Sequence, residues 1–132
     1  MTVLMFVNGQ AMTGGSLNTA LQGDGARFVA ATETADKYRF VSVRDEFPGL
    51  YPAEGRGWSV PGELYEVSYE VLRDVMLPRE PAELELGVIE LKDGSGSLCM
   101  HLRAEFLASP QVSDISDRGG WKKYLASLEE QE

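Results

Sequence analysis

The sequence has very little cysteine and histidine, and this scarcity removes several kinds of site. Cys99 is the single cysteine in the chain of 132 residues, and His101 is the single histidine. One thiol cannot form an internal disulfide, and a structural zinc site needs four ligands that are mostly Cys or His. Neither a P-loop nor a G-x-S-x-G nucleophile elbow is present in the sequence. We therefore expect no metal site and no cofactor.

Basic residues and long apolar runs are also scarce. The chain has 12 Lys and Arg against 21 Asp and Glu, for a net charge of −9. Nucleic acids and anionic membrane surfaces attract clustered basic residues, so neither is expected as a partner. No apolar run approaches the ~20 residues that span a bilayer, and the first residues lack the basic region of a signal peptide. We expect a cytoplasmic protein with a single domain over residues 1–132.

What the sequence does contain is an alternation of strand-like and short helix-like segments. Hydrophobic periodicity predicts strands at 3–7, 27–35, 37–43, 58–67, 83–91 and 97–106. It predicts helices at 17–22 (with Ser16 as the N-cap), 69–76 and 121–130. The segment 44–59 has two prolines and three glycines and is expected to be an irregular loop. A change of apolar phase predicts a bulge near Gly87. Together these elements indicate an α+β fold with a mostly antiparallel sheet.

The turn after the first strand is the first candidate site. A strand that ends in a glycine-containing loop before a helix exposes backbone N–H groups, which can hold a carboxylate or a similar anion. The sequence there is Val7-Asn8-Gly9-Gln10-Ala11-Met12-Thr13-Gly14-Gly15. The alternative is an ordinary turn between a strand and a helix, because turns rich in glycine are common.

A group of glutamates before and within the strand at 83–91 is the second candidate. A carboxyl group can transfer protons near neutral pH if burial raises its pKa. Glu85 and Glu90 are better explained as the solvated face of a strand. Glu80 lies between Pro78 and Pro81, where the helix gives way to the strand. Glu80 and Glu83 are therefore the candidate catalytic groups.

His101 could act as a lone acid–base group, and Cys99 lies two residues before it on the same predicted face. No third group that would orient such a pair is evident, so nucleophilic catalysis has little support. The alternative for His101 is a surface or barrel-lining residue.

Five segments, taken in order, resemble one known family over nearly the whole chain. The segments are VNGQAMTGGSLNTAL, GARFVAATETADKYRFVSV, PGELYEVSYEVLRDV, ELGVIELKDGS and GGWKKYLAS. They are similar to the γ-glutamylcyclotransferase-like superfamily, and within it to the C-terminal domain of allophanate hydrolases and its stand-alone relatives. The resemblance implies a small, closed or nearly closed β-barrel, flanked by short helices, with a pocket at one mouth.

The resemblance also implies positions for a site. In cyclotransferases the first strand ends in a Tyr-Gly-Ser/Thr-Leu loop that binds substrate, and here that loop reads Asn8-Gly9-Gln10-Ala11. The catalytic glutamate of cyclotransferases falls on Arg79 when the chain is counted without gaps from Gly62. Glu80 is next to it, and a shift of one residue would restore the acid.

Our first hypothesis is a protein that binds a small anionic amide or carbamate. If it is an enzyme, it also processes this ligand. The turn would hold the anionic end, Glu80 or Glu83 would transfer a proton, and Tyr38 and His101 would line the pocket. The implied ligand-binding residues are Asn8, Gly9, Gln10, Ala11, Met12, Tyr38 and His101. The alternatives are a non-catalytic companion of a separate amidase and, third, a γ-glutamyl cyclotransferase. The apolar residues of segment 44–59 would cap the pocket or contact a second subunit, so a homodimer is left open.

Overall fold

The computed structural model describes residues 2–9, 11–13, 15, 18 and 25–130. Within these residues there are eight strands: β1 (Thr2–Val7), β2 (Ala26–Glu33), β3 (Tyr38–Val43), β4 (Phe47–Pro52), β5 (Pro61–Ser68), β6 (Leu84–Glu90), β7 (Gly96–Leu102) and β8 (Val112–Asp114). The same residues contain two α-helical segments, α1 (Tyr69–Val71) and α2 (Trp121–Glu130). The helix predicted at 17–22 falls, except for Asn18, outside the described residues.

Five strands form the larger sheet, in the order β2-β5-β1-β7-β6. All neighbours are antiparallel except β1 and β7, which run parallel with Met5 opposite Leu98 and Phe6 opposite Cys99. The smaller sheet has the order β4-β3-β8 and is antiparallel throughout. This confirms the predicted α+β class with a mostly antiparallel arrangement.

The two edges of the larger sheet meet at one end. Beyond β2 and β6, Thr34 and Leu91 form an antiparallel bridge. The N–H of Ala35 donates to the carbonyl of Glu90 at 3.0 Å, and the N–H of Lys92 donates to the carbonyl of Glu33 at 3.1 Å. Among the described residues no further ladder joins β2 to β6. The two edges of the sheet therefore meet through one isolated bridge, and the described residues form no closed barrel.

The loop predicted over 44–59 is wrong, because most of its first half is strand β4. β4 pairs with β3 in register from Val43–Phe47 to Tyr38–Pro52. Pro48 is tolerated because β4 is the edge of its sheet, where a missing N–H costs no ladder bond. Gly49 lets the two sheets approach closely, since a Cβ there would lie 3.1 Å from Cβ of Leu102. Proline and glycine, which normally predict a loop, here serve an edge strand.

The bulge predicted near Gly87 is also wrong. β6 and β7 pair without interruption from Leu84–Leu102 to Glu90–Gly96. The apolar phase changes because Leu86 and Val88 are exposed, at 38% and 68%. Gly87 instead leaves room for the His101 ring, since a Cβ at this position would overlap with Nδ1 of His101.

The helix predicted at 69–76 lies where expected but is mostly not α-helical. The hydroxyl of Ser68 accepts a hydrogen bond from the N–H of Val71 at 3.1 Å and caps α1. The chain continues as a π-helical turn (Leu72–Met76) and then as a 3-10 turn (Leu77–Arg79). A π-turn holds one residue more than an α-turn. The residues that follow are therefore one position later in the sequence than they would be after a continuous α-helix.

The C-terminal helix α2 confirms the prediction at 121–130 and closes the core. Trp121 is 2% exposed and packs with Phe6, Phe40, Leu50 and other buried residues in the main cluster. Among the described residues, no helix combines the length and the apolar character needed to cross a membrane.

Candidate functional site

A cavity of about 280 Å³ lies between the two sheets, where the end of β1 faces the start of β4. Asn8, Gly9 and Ala11 contribute one wall from the turn after β1. The opposite walls come from Glu46, Phe47 and Pro48 on the β4 side and from Arg79, Glu80 and Pro81 before β6. The floor is apolar and includes Met5, Leu84 and Met100. The turn after β1 and a glutamate from the proline-rich segment therefore share one cavity.

The turn after β1 is held by one hydrogen bond within the turn and one to β5. The N–H of Met12 donates to the carbonyl of Gly9 at 3.1 Å, and the N–H of Thr13 donates to a carboxylate oxygen of Glu63 at 2.7 Å. Those two amides are thus used within the fold. Met12 is 5% exposed and belongs to the core instead of the cavity wall. Gln10 lies outside the described residues.

A chain of polar side chains fixes this turn from beneath. Nδ2 of Asn18 donates to the carbonyl of Ala11 at 2.8 Å and to the hydroxyl of Tyr65 at 2.9 Å. The Tyr65 hydroxyl donates to Glu63 at 3.1 Å, and the same Glu63 oxygen accepts from the Thr13 hydroxyl at 3.1 Å. The turn is therefore anchored through both its carbonyl and its N–H groups.

Glu63 is a site residue that the sequence reasoning missed. It stands on β5 in phase with Tyr65 and Val67, which are both fully buried. A glutamate that alternates in step with core residues must find partners. That phase was the signal available in the sequence.

Gly9 lets the turn touch β4. A Cβ at this position would lie 2.7 Å from Cδ and 2.8 Å from Cγ of Pro48. We expect Gly9→Ala to lower the free energy of unfolding by about 1–2 kcal/mol, because the proline ring cannot move without its strand. Urea denaturation measures this change. Gly55→Ala is the matched control, since nothing lies within 4 Å of a Cβ at Gly55, and an equal loss in both variants would contradict the contact.

Of the two glutamates that line the cavity, Glu46 is paired with Arg44, and Glu80 is the one without an ion-pair partner among the described residues. It ends the 3-10 turn with an extended backbone (φ −77, ψ 141), which is the conformation that the following Pro81 imposes. Its side chain has no hydrogen-bond partner among the described residues, and burial raises its pKa to about 7. A carboxyl group that is half ionised near neutral pH can both give and take a proton.

Glu83 is in the opposite situation. Its carboxylate pairs with the Arg44 guanidinium at 2.8 Å and does not line the cavity. That hydrogen bond lowers the pKa of Glu83, so the group stays ionised at neutral pH. Arg44 also pairs with Glu46 at 2.6 Å and lies over the Phe47 ring. The Arg44–Glu83 pair thus joins the β3–β4 turn to the start of β6.

Tyr38 and His101, expected to line the pocket, lie away from this cavity. The hydroxyl of Tyr38 accepts a hydrogen bond from the N–H of Glu90 at 2.8 Å. This bond lies next to the Thr34–Leu91 bridge between the two sheet edges. His101 packs over Gly87, and burial lowers its pKa, which favours the neutral ring. Its Nε2 is buried without a hydrogen-bond partner among the described residues.

Cys99, expected on a polar face, is buried beneath the site. It is 1% exposed, and its thiol contacts the carbonyl of Met100 at 3.5 Å and the side-chain amide of Asn8 at 4.0 Å. Burial first, and the nearby Glu80 charge second, raise the pKa of the thiol. This thiol is therefore not a nucleophile at neutral pH. In the described part of the chain no three His, Cys, Asp or Glu residues cluster as metal ligands would.

Comparison with known proteins gives consistent matches. The family model of the allophanate hydrolase C-terminal domain matches residues 3–126. The structure of c4763, a uropathogenic E. coli-specific protein, is similar with a TM-score of 0.87 and 32% identity, over 96% of this chain and 97% of that one. Kluyveromyces lactis allophanate hydrolase is similar with a TM-score of 0.89 and 24% identity. No curated protein sequence matches this chain significantly.

The coverage of these matches differs. The allophanate hydrolase match takes in 97% of this chain but 22% of that protein, so this chain corresponds to one part of a much larger enzyme. A γ-glutamyl cyclotransferase structure is similar over 78% of this chain and 68% of its own, with a TM-score of 0.56 and 13% identity. That last likeness shows a shared fold, as the sequence resemblance implied.

Proposed function

This chain belongs to the family of allophanate hydrolase C-terminal domains, and on that premise we propose that its cavity binds and processes a small carboxylated amide or carbamate. The observation that carries the proposal is the meeting of Glu80 with the turn after β1 in one cavity. Asn8 supplies an amide there, and Arg79 supplies a cation at the wall.

Arg79 is the cavity residue that can hold an anionic guest, while Glu46 on the same lining is paired with Arg44 at 2.6 Å. Arg79 has no ion-pair partner among the described residues, so its charge is available to a carboxylate. The floor of the cavity is apolar and includes Met5, Leu84 and Met100. The neutral form of Glu80 can donate to a carbonyl or carboxylate oxygen, and its ionised form can take the proton back.

Glu80 is the better candidate for proton transfer than Glu83. The pKa of Glu80 is raised to about 7, whereas the pKa of Glu83 is lowered by Arg44. We therefore assign the acid–base role to Glu80.

The test is calorimetric titration with malonate, malonamate and the neutral malonamide, followed by incubation with allophanate. We expect the two carboxylates to bind and malonamide to bind weakly or not at all. Arg79→Gln should weaken carboxylate binding, whereas Arg27→Gln, remote from the cavity, should leave it unchanged. Turnover of allophanate, read as released ammonia or carbon dioxide, should fall about 10²- to 10⁴-fold in Glu80→Gln.

Three results would overturn parts of this account. Equal binding of malonamide and malonate would show that the cavity does not select for an anionic group. Turnover that survives in Glu80→Gln would remove Glu80 as the acid–base group. Release of 5-oxoproline from γ-glutamyl substrates, lost in Glu80→Gln, would favour the cyclotransferase alternative.

A second function is favoured by the coverage of the allophanate hydrolase match. In that enzyme the similar domain is about a fifth of a longer chain. This chain could correspondingly serve as a non-catalytic companion of a separate amidase. Carboxylate binding without any turnover, together with increased activity of a co-purified amidase, would support the companion over the enzyme.

A further inference from the structure

Glu46 is a second carboxylate on the wall of the cavity, besides Glu80, and an anionic guest has to tolerate it. Both glutamates line the cavity, and Arg79 is the basic residue on the same lining. Like charges repel each other, and opposite charges on one lining offset each other. An unpaired carboxylate at Glu46 would therefore weaken the attraction that Arg79 exerts on an anion.

The guanidinium of Arg44, which is not part of the cavity lining, holds the Glu46 carboxylate. Its Nε donates to a carboxylate oxygen of Glu46 at 2.6 Å. Its Nη1 donates to Glu83 at 2.8 Å and to the side-chain carbonyl of Gln111 at 2.9 Å. The backbone N–H of Arg44 also donates to the carbonyl of Gln111 at 3.0 Å. The Arg44 side chain is therefore fixed beside Glu46 by neighbours on both sides.

Arg44 occupies a backbone position that suits glycine better than arginine. Its φ is 54° and that of Asp45 is 58°, in the left-handed region that residues with a Cβ seldom adopt. The Asp45 carboxylate stabilises this turn, because it accepts hydrogen bonds from the hydroxyls of Ser42 at 2.7 Å and Tyr124 at 2.5 Å. The Arg44 side chain instead extends to Glu46. An arginine at such a strained position indicates a role for its side chain.

We propose that Arg44 sets the charge selectivity of the cavity by masking Glu46, which leaves Arg79 as the dominant charge that a ligand meets. This inference rests on the proposed binding of a small carboxylate. Without Arg44, the charges of Glu46 and Arg79 would offset each other, and the cavity would lose much of its preference for an anion. Arg44 is thus a positioning residue that acts on the ligand through Glu46.

Glu83 separates this role from a purely structural one. It carries the same charge as Glu46 and binds the same guanidinium, but it does not line the cavity. A structural role of Arg44 would act through Glu83 and Gln111, which tie the β3–β4 turn to other parts of the fold. A masking role acts through Glu46 alone. Removing one carboxylate at a time therefore distinguishes the two roles.

Calorimetric titration with malonate and malonamide tests the masking. We expect Arg44→Gln to weaken malonate binding about three- to tenfold and to leave the weak binding of malonamide as it is. In a Glu46→Gln background the same substitution should change malonate affinity less than about twofold. In a Glu83→Gln background, which has the same net charge, it should again cost about three- to tenfold. Circular dichroism establishes that each variant is folded.

A carboxyl-carbon NMR titration of Glu80 tests the masking without a ligand. An unmasked Glu46 in the same cavity disfavours the ionised form of Glu80. The Glu80 midpoint should therefore rise by about half a pH unit in Arg44→Gln, and Glu46→Gln should reverse this rise. Glu83→Gln should not reverse it.

The two measurements separate this inference from the proposed function. A Glu80 midpoint that rises as expected in a chain that does not bind malonate would overturn the proposed ligand and support the masking of Glu46. A midpoint that stays in place in Arg44→Gln would overturn the masking. A loss of malonate affinity that persists in the Glu46→Gln background, or that extends equally to malonamide, would assign Arg44 a structural role and overturn it as well.

Discussion

Glu80→Gln is expected to stabilise the folded chain at about pH 8 and to leave its stability nearly unchanged at about pH 4. The reason is the partial burial of Glu80 in the cavity, which raises its pKa from 4.5 to about 7. Glutamine keeps the shape of the side chain and cannot ionise. The variant therefore removes the cost of a buried charge and little else.

The sign follows from proton binding in the two states. Between pH 4.5 and about 7 the folded chain holds a proton on Glu80 that the unfolded chain has released. Stability of the wild-type chain therefore falls as pH rises through this window and levels off above it. A shift of this size corresponds to about 3 kcal/mol, since each pKa unit is worth about 1.4 kcal/mol.

Urea denaturation of wild type and Glu80→Gln at several pH values measures the difference directly. The curves should coincide near pH ~4 and separate steadily toward pH ~8. Glu105→Gln is the control, because Glu105 is exposed and a substitution there should change stability by less than about 0.5 kcal/mol. Parallel curves for wild type and Glu80→Gln would show that Glu80 is solvated.

Glu63→Ala is expected to lower the free energy of unfolding by about 2–4 kcal/mol. The Glu63 carboxylate accepts hydrogen bonds from the N–H and hydroxyl of Thr13 and from the hydroxyl of Tyr65. Its side chain is 12% exposed, and Tyr65 is fully buried. Alanine leaves the Tyr65 hydroxyl without its acceptor and releases the turn that forms one wall of the cavity.

Glu63→Gln is the matched control for that loss. Its amide oxygen can accept the same hydrogen bonds, so its cost should stay below about 1 kcal/mol. Malonate titration adds a readout of the turn itself, because Glu63→Ala should weaken binding while Glu63→Gln preserves it. Equal malonate affinity in the wild type, Glu63→Ala and Glu63→Gln would show that the Glu63 hydrogen bonds do not affect ligand binding in the cavity.

Strands in which apolar and polar residues alternate could be predicted from the sequence, and strands without this alternation could not. The hairpin of β6 and β7 followed from alternation and from the Asp93-Gly94 turn, where Gly94 does adopt a positive φ of 90°. β4 did not follow, because Pro48 and Gly49 are adapted to a sheet edge and to a close approach between sheets. Those demands are tertiary and leave no periodic signal.

The candidate site divides in the same way. Two prolines flanking Glu80 marked an irregular segment, and the structure brings that segment to the turn after β1. The sequence could not show that the Tyr38 hydroxyl binds the N–H of Glu90, because the two residues are 52 positions apart.

The central claim is that Glu80 is buried in a cavity that admits a small carboxylate. The most direct measurement is a carboxyl-carbon NMR titration of Glu80, without and with malonate. We expect a midpoint near pH 7 in the free chain, and a higher midpoint with malonate, because a bound anion disfavours the ionised form. A midpoint near the 4.5 of an ordinary glutamate, unmoved by malonate, would contradict the account.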